Sequence, residues 1–156
     1  MRIIIVALML LTCVACKDKE ASPIYTIVGN YRATVYDDGS SGPVAYPIAD
    51  HSMSVKIVSE TDSTVTVQIV STPSKAALPK NVFIPSSIVY RNVLSVRQGT
   101  PTKASFYVNL EPIFGHPEIF KNAILFYSGT KIADYYYTPP EAPTAPRRIR
   151  LERDEL

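Results

Sequence analysis

The stretch SMSVKIVSETDSTVTVQI, residues 52–69, decides the fold class of this chain. Apolar residues occupy every second position on both sides of the polar run 60–63, namely Met53, Val55, Ile57, Val65, Val67 and Ile69. A period of two places such side chains on one face of an extended strand, with their polar neighbours on the other. The stretch therefore predicts an antiparallel hairpin with one buried face.

The same period continues on both sides of this hairpin. Further strands are predicted at residues 24–36, 88–97, 104–110, 123–127 and 131–137. Gly, Asp and Pro separate them and supply turn geometry. Seven or eight short strands with this spacing indicate an all-β domain over residues 24–137, either one antiparallel β-barrel or a β-sandwich.

Three segments break the strand pattern. Residues 71–85 contain three prolines and predict a long loop with a short edge strand at 81–84. Residues 117–121 begin with proline and form the one helix candidate, a single turn. Residues 138–156 are proline-rich and charged, so this tail is expected to be extended or disordered.

A family resemblance favours the barrel. The sequence Gly29-Asn30-Tyr31, at the start of the first long strand, resembles the G-x-W or G-x-Y start of lipocalin and calycin-like domains. The resemblance implies a barrel that holds a small apolar ligand. The family tryptophan is missing because the chain has no Trp, and no basic residue that would close the barrel end is recognised in the sequence. An immunoglobulin-like sandwich is the alternative.

The first fifteen residues predict a signal peptide. Arg2 precedes an uncharged run at 3–15, which is the length of a signal-peptide core and too short to span a bilayer. A buried N-terminal core helix is the alternative. Val14-Ala15-Cys16 resembles the lipobox of bacterial lipoproteins, although Cys13 stands where that family usually has Leu.

The lipobox resemblance implies cleavage before Cys16 and lipidation of its thiol. Residues 16–23 are polar and end at a proline, which suits a tether. Two or three acyl chains hold a protein on a membrane stably. The expected location is therefore the outer membrane or cell surface. The terminal RDEL, residues 153–156, resembles an ER retention signal and leaves the ER lumen as the alternative.

Composition excludes several classes of function. The chain has 16 basic and 14 acidic residues, which is too balanced for a nucleic-acid surface. Both cysteines, Cys13 and Cys16, lie in or beside the leader, so the domain has no thiol for catalysis, a disulfide or a zinc site. His51 and His116 are the two histidines. Asp50 and Ser52 flank His51, but neighbours on a strand face opposite ways. His116 and Glu118 would give only two ligands, too few for a metal site. We expect no cofactor, no metal and no enzymatic activity.

Tyrosines are the remaining candidates for a functional surface. Tyr135, Tyr136 and Tyr137 are consecutive on the last predicted strand, and Tyr31 lies on the first. Amphipathic rings suit ligand and partner contacts, but tyrosine is also common in half-buried sheets. The favoured hypothesis is a lipid-anchored, non-enzymatic binding domain for a small apolar ligand or an envelope protein. A structural or inhibitory accessory protein ranks second, and a hydrolase with a dispersed site third.

The anchor can be tested by intact mass spectrometry of membrane-extracted protein from a Gram-negative host. We expect the mass of residues 16–156 plus a diacylglyceryl group and an acyl chain. Cys16→Ala removes the acceptor thiol and should remove that added mass. An unlipidated, soluble wild-type product would contradict the lipobox interpretation.

Overall fold

The computed structural model describes residues 23–73, 75–99, 105–113 and 116–155. Its elements are a 3-10 turn, Pro23–Thr26, followed by nine strands: β1 Gly29–Asp37, β2 Val44–Ala45, β3 Ser52–Ser59, β4 Thr64–Thr72, β5 Ile88–Gln98, β6 Ser105–Ile113, β7 His116–Tyr127, β8 Ile132–Tyr137 and β9 Arg147–Arg153. Within these ranges no helix is long and apolar enough to cross a membrane. Cys16, the leader and most of the predicted tether lie outside the described residues.

The strands form one antiparallel sheet that closes on itself. Its order is β2-β1-β3-β4-β5-β6-β7-β8-β9, and β1 also pairs with β9. Strand β2 adds only two residues beside the end of β1, so the other eight strands form the ring. The barrel prediction is confirmed. A sandwich is excluded because β1 pairs with β9, so the strands form one closed sheet and not two separate sheets.

Side chains that alternate along the strands fill the barrel. An eight-stranded barrel has an interior just wide enough for its inward side chains. The apolar face predicted for residues 52–69 points inward, and its six members are at most 3% exposed. The largest fully buried side chains include Tyr36, Tyr135, Ile149 and Leu151.

A β-bulge in β1 changes the face on which Tyr36 lies. Ala33 pairs with Leu151, but Val35 pairs with Arg150, so Thr34 is an extra residue in β1. A bulge reverses the in-and-out phase of the residues beyond it. Tyr36 therefore points into the barrel, where it is 1% exposed, although a strict period of two along β1 places it on the polar face.

The prediction of a disordered C-terminal tail is wrong for residues 147–153. These residues form β9, which pairs with β8 on one side and β1 on the other. Ile149 and Leu151 are completely buried between the intervening charged residues. The alternation of a half-buried strand was present in the sequence. Prolines before the strand and charges within it obscured the pattern.

The predicted helix at 117–121 and the edge strand at 81–84 are also wrong. Residues 117–121 belong to β7, which pairs with β6 through three register shifts. A single helical turn gains too few hydrogen bonds to compete with a hairpin that extends an existing ladder. Residues 81–84 have no strand pairing and cross one end of the barrel as a loop.

Arg153 closes the other end of the barrel. Its guanidinium donates to the carbonyl oxygens of Thr26 and Val28, just before β1 begins. Gly29 has a φ of +152°, and a Cβ there would lie 2.8 Å from Arg153 Nε. Arg153 thus places a basic residue against the start of β1, a contact that the sequence did not reveal. Arg153 is also the first residue of the RDEL tetrapeptide, and as the last residue of β9 it is part of the barrel wall.

Closure by β9 can be tested with two leucine substitutions. Leu151 is completely buried and Leu94 is 55% exposed. We expect Leu151→Ala to lower the free energy of unfolding by about 2–5 kcal/mol, the range for buried leucines. Leu94→Ala, the matched control, should change it by no more than about 0.5 kcal/mol. Urea unfolding measures both, and equal small effects would show that β9 is not part of the core.

Candidate functional site

The two ends of the barrel differ in chemistry. The 3-10 turn and Arg153 lie at one end, which we call the tether end because residue 23 enters there. The opposite end carries Tyr36 on β1, Tyr90 on β5, Tyr137 on β8 and Tyr46 after β2, and we call it the tyrosine end. The four tyrosines are packed in or against the hydrophobic core. A group of phenols at the end of an apolar barrel is a candidate binding site.

A loop covers the tyrosine end, and Tyr36 holds it in place. The loop segment at residues 78–84, the cap segment, packs Leu78, Val82 and Ile84 against the core. The Tyr36 hydroxyl donates to the Asn81 carbonyl oxygen at 3.1 Å and accepts from the Phe83 backbone N–H at 3.2 Å. One buried phenol therefore satisfies two backbone groups of the cap segment.

Arg147 is a buried basic residue at this end. It is the first residue of β9 and pairs with Tyr137 on β8. Its side chain is buried, with the residue 9% exposed. Nη1 donates to the Asp38 carbonyl oxygen at 3.2 Å, and the guanidinium carbon lies 5.6 Å from the centre of the Phe83 ring. Nε is buried and has no hydrogen-bond partner.

The Asp38 carboxylate, in contrast, is fully engaged within its own turn. Its Oδ1 accepts from the backbone N–H groups of Ser41 at 2.7 Å and Ser40 at 2.8 Å, and its Oδ2 accepts from the Ser41 hydroxyl at 2.9 Å. These hydrogen bonds, Ser41 first and then Ser40, hold the pKa of Asp38 well below its usual range. Asp38 therefore contributes a backbone carbonyl, and no carboxylate contact, to Arg147.

The hydroxyls of Tyr46 and Tyr137 are kept protonated. Burial, and then the neighbouring Tyr36, raise the pKa of Tyr46 far above its usual value. Burial, then Glu141, Tyr90 and Tyr36, raise the pKa of Tyr137. Neutral phenols can donate as well as accept hydrogen bonds. The Tyr46 hydroxyl is buried and has no partner.

The tether end holds a small cavity of about 70 Å³ that includes Ile27, Tyr31, Phe106 and Phe126 in its lining. This volume is enough for a few water molecules. Tyr31 donates to the Ile27 carbonyl oxygen at 2.8 Å, and its ring meets the Phe126 ring edge-on at 5.5 Å. Burial, partly opposed by Arg153, raises the pKa of Tyr31 to about 12. These bonds are those of a structural tyrosine.

The structure does not bring the four sequence-predicted tyrosines together. Tyr135 is buried in the core, and Tyr31 is buried at the tether end. Tyr136 lies on the opposite face of β8 and is half-buried. Tyr137 reaches the tyrosine end, with its ring 6.1 Å from that of Tyr135. A surface patch made of all four is therefore excluded, because β8 alternates between the two faces of the barrel wall.

A polar cluster on the outer wall was missed by sequence reasoning. Asp134 is 1% exposed, although it points away from the barrel interior. It accepts from the Tyr127 hydroxyl at 2.8 Å and from Arg150 Nε at 3.3 Å. Arg148 pairs with Asp37 at 2.7 Å on the same face. These pairs neutralise Arg148 and Arg150 on the outer face of β9.

Of the two histidines, the structure describes the surroundings of His51. His51 exchanges backbone hydrogen bonds with Ile48 in a tight turn. His116 begins β7, and its side chain lies outside the description. Over the residues searched, no three His, Cys, Asp or Glu side chains lie close enough to hold a metal ion.

Comparisons with known proteins give little similarity. No family model matches the chain, and no curated protein matches it. A crystal structure of a mutant of the fluorescent protein UnaG is similar at a TM-score of 0.36 with 7% identity. The similarity covers 85% of this chain and 99% of that one. A TM-score of this size does not define a shared fold, so the barrel assignment rests on the strand pairing of this chain.

Two tyrosine substitutions test the hydrogen bonds at the tyrosine end. Tyr36→Phe leaves the Asn81 carbonyl and the Phe83 N–H without a partner, and we expect a loss of about 1–3 kcal/mol of unfolding free energy. Tyr46→Phe removes a buried hydroxyl that has no partner, so it should leave stability unchanged or raise it. Thermal and urea unfolding measure both variants. Equal losses in the two variants would contradict the hydrogen-bond assignment.

Proposed function

We propose that the chain is a non-enzymatic binding domain, anchored to the cell envelope by lipid on Cys16, that holds a small amphipathic molecule at the tyrosine end. The observation that carries this proposal is the buried Tyr46 hydroxyl, which has no partner in a group of inward-facing tyrosines. A buried polar group without a partner costs free energy, and a ligand that pairs with it recovers that cost.

The position of the site suits an anchored protein. Residue 23 enters at the tether end, whereas Tyr36 and Tyr137 lie where β1 and β8 finish at the opposite end. A short polar tether from Cys16 would therefore leave the tyrosine end facing away from the membrane.

The contacts of the RDEL residues support the envelope over the ER lumen. Asp154 donates its backbone N–H to the Asn30 carbonyl oxygen at 2.9 Å. Glu155 pairs with Lys131 at 2.5 Å, and Arg153 is part of the barrel wall. A receptor-read address must be accessible as a free segment, and Arg153 and Asp154 are engaged by the fold.

Packing limits the size of the ligand unless the cap segment moves. Buried side chains fill the barrel between its two ends, so a ligand longer than a few atoms must displace Phe83 and its neighbours. The cap segment has no strand pairing and is held in part by the Tyr36 hydroxyl. Segments with few regular hydrogen bonds open at the lowest free energy.

A second candidate function is protein binding through β5. This strand is exposed along most of its length, and Ile88, Val89, Leu94 and Val96 are each at least 42% exposed. Exposed apolar residues clustered on one element are typical of partner surfaces. This observation favours the accessory-protein hypothesis, with β5 as the contact.

Tyrosine fluorescence provides the test of small-molecule binding. The chain has ten tyrosines and no tryptophan, so tyrosine emission is not masked. We expect octan-1-ol or sodium octanoate to change the emission of the full chain saturably at one site. Tyr46→Phe should weaken this binding about tenfold, the effect of one lost hydrogen bond. Tyr136→Phe, on the outer face, is the matched control. Failure of both probes to bind would contradict the proposal and favour β5.

A further inference from the structure

The four arginines of β9 differ in the groups that contact their guanidinium ions. Arg148 pairs with Asp37 and Arg150 pairs with Asp134 on the outer wall. Arg153 donates to two backbone carbonyls at the tether end. Arg147 is buried and points inward, and among the described residues it has no carboxylate partner.

An unpaired buried guanidinium is costly. Charged side chains in protein interiors are paired in almost all cases, because desolvation of an isolated ion costs several kcal/mol. The Asp38 carbonyl oxygen and the Phe83 ring offset part of this cost for Arg147. Neither supplies a negative charge, and no carboxylate of the described residues forms an ion pair with Arg147, so its guanidinium can accept an anion.

The unpaired Nε of Arg147 indicates the shape of that anion. Nη1 is occupied by the Asp38 carbonyl oxygen. Nε has no partner, and it lies on the same edge of the guanidinium as Nη2. The parallel N–H groups of this edge match the two oxygens of a carboxylate.

The surroundings favour a singly charged group on an apolar body. The Phe83 ring contacts the guanidinium, and Tyr137 is the strand partner of Arg147 on β8. No second cation is described in contact with Arg147, so a doubly charged phosphate would remain half-neutralised. The Tyr46 hydroxyl, in the same tyrosine group, is a further free donor.

We infer that Arg147 is the binding group for the carboxylate of a small amphipathic acid, which enters the tyrosine end when the cap segment moves aside. This inference rests on the proposed function and adds the charge and head group of the ligand. The outward-facing neighbour Arg148 has its own carboxylate and takes no part.

The test compares sodium octanoate with octan-1-ol, which share one chain length and differ in the head group. The full chain, isolated from membranes in one nonionic detergent, is titrated with each probe and followed by tyrosine fluorescence. Octanoate should bind wild type at least tenfold more tightly than octanol. Arg147→Gln should weaken octanoate about 10- to 100-fold, the effect of losing a charge-assisted pair of hydrogen bonds, and leave octanol unchanged. Arg148→Gln, the matched control, should bind both probes as wild type does.

Thermal unfolding separates binding from a structural role. Removal of an uncompensated buried charge should keep the Tm of Arg147→Gln equal to or above that of wild type. If this variant does not fold, Arg147→Lys replaces it. Lys keeps the charge, loses the planar fork and should weaken octanoate binding about tenfold.

Equal binding of the two probes, with no effect of Arg147→Gln, would overturn the carboxylate assignment and leave the proposed function standing. A lower Tm with parallel loss of both probes would make Arg147 structural, and no binding of either probe to wild type or Tyr36→Phe would overturn both proposals.

Discussion

The pairing of β1 with β9 is the constraint on which the rest of this structure depends. It joins the first and last strands of the barrel across more than a hundred residues of chain. Without it the sheet would have two open edges and Ile149 and Leu151 would lose their place in the core. The contact of Arg153 with Gly29 fixes the register at one end of this seam, and the Arg148–Asp37 pair lies at the other.

Closure also gives the barrel two ends of different character. At the tether end, Arg153 and Tyr31 satisfy the backbone carbonyls before β1, and the remaining cavity is small. At the tyrosine end, the polar groups outnumber their partners, and Arg147 and Tyr46 retain unused donors. Natural proteins tend to break the rule of satisfied interiors at functional sites. This contrast is why the proposed site lies at the tyrosine end.

Sequence patterns predicted the strands whose signals are local. The hairpin at 52–69 follows from alternation alone, and the strands near 88–97 and 131–137 were found in the same way. The failures occurred where a local rule was overruled by pairing with distant strands. Residues 117–121 resemble a helical turn in isolation, but in the fold they belong to β7, which pairs with β6. Prolines predicted disorder near residue 147, but residues 147–153 form β9 because they pair with both β1 and β8.

The sequence by itself determined the all-β class, the inward face of residues 52–69 and the pattern at Cys16 that predicts an anchor. Each depends on spacing along the chain, which folding does not change. Only the tertiary structure decided that the sheet closes, that Thr34 forms a bulge and that Arg147 faces inward while Arg148 faces outward. The physical reason is that the direction of a side chain on a strand is set by register. For β9 that register is fixed by a strand more than a hundred residues away.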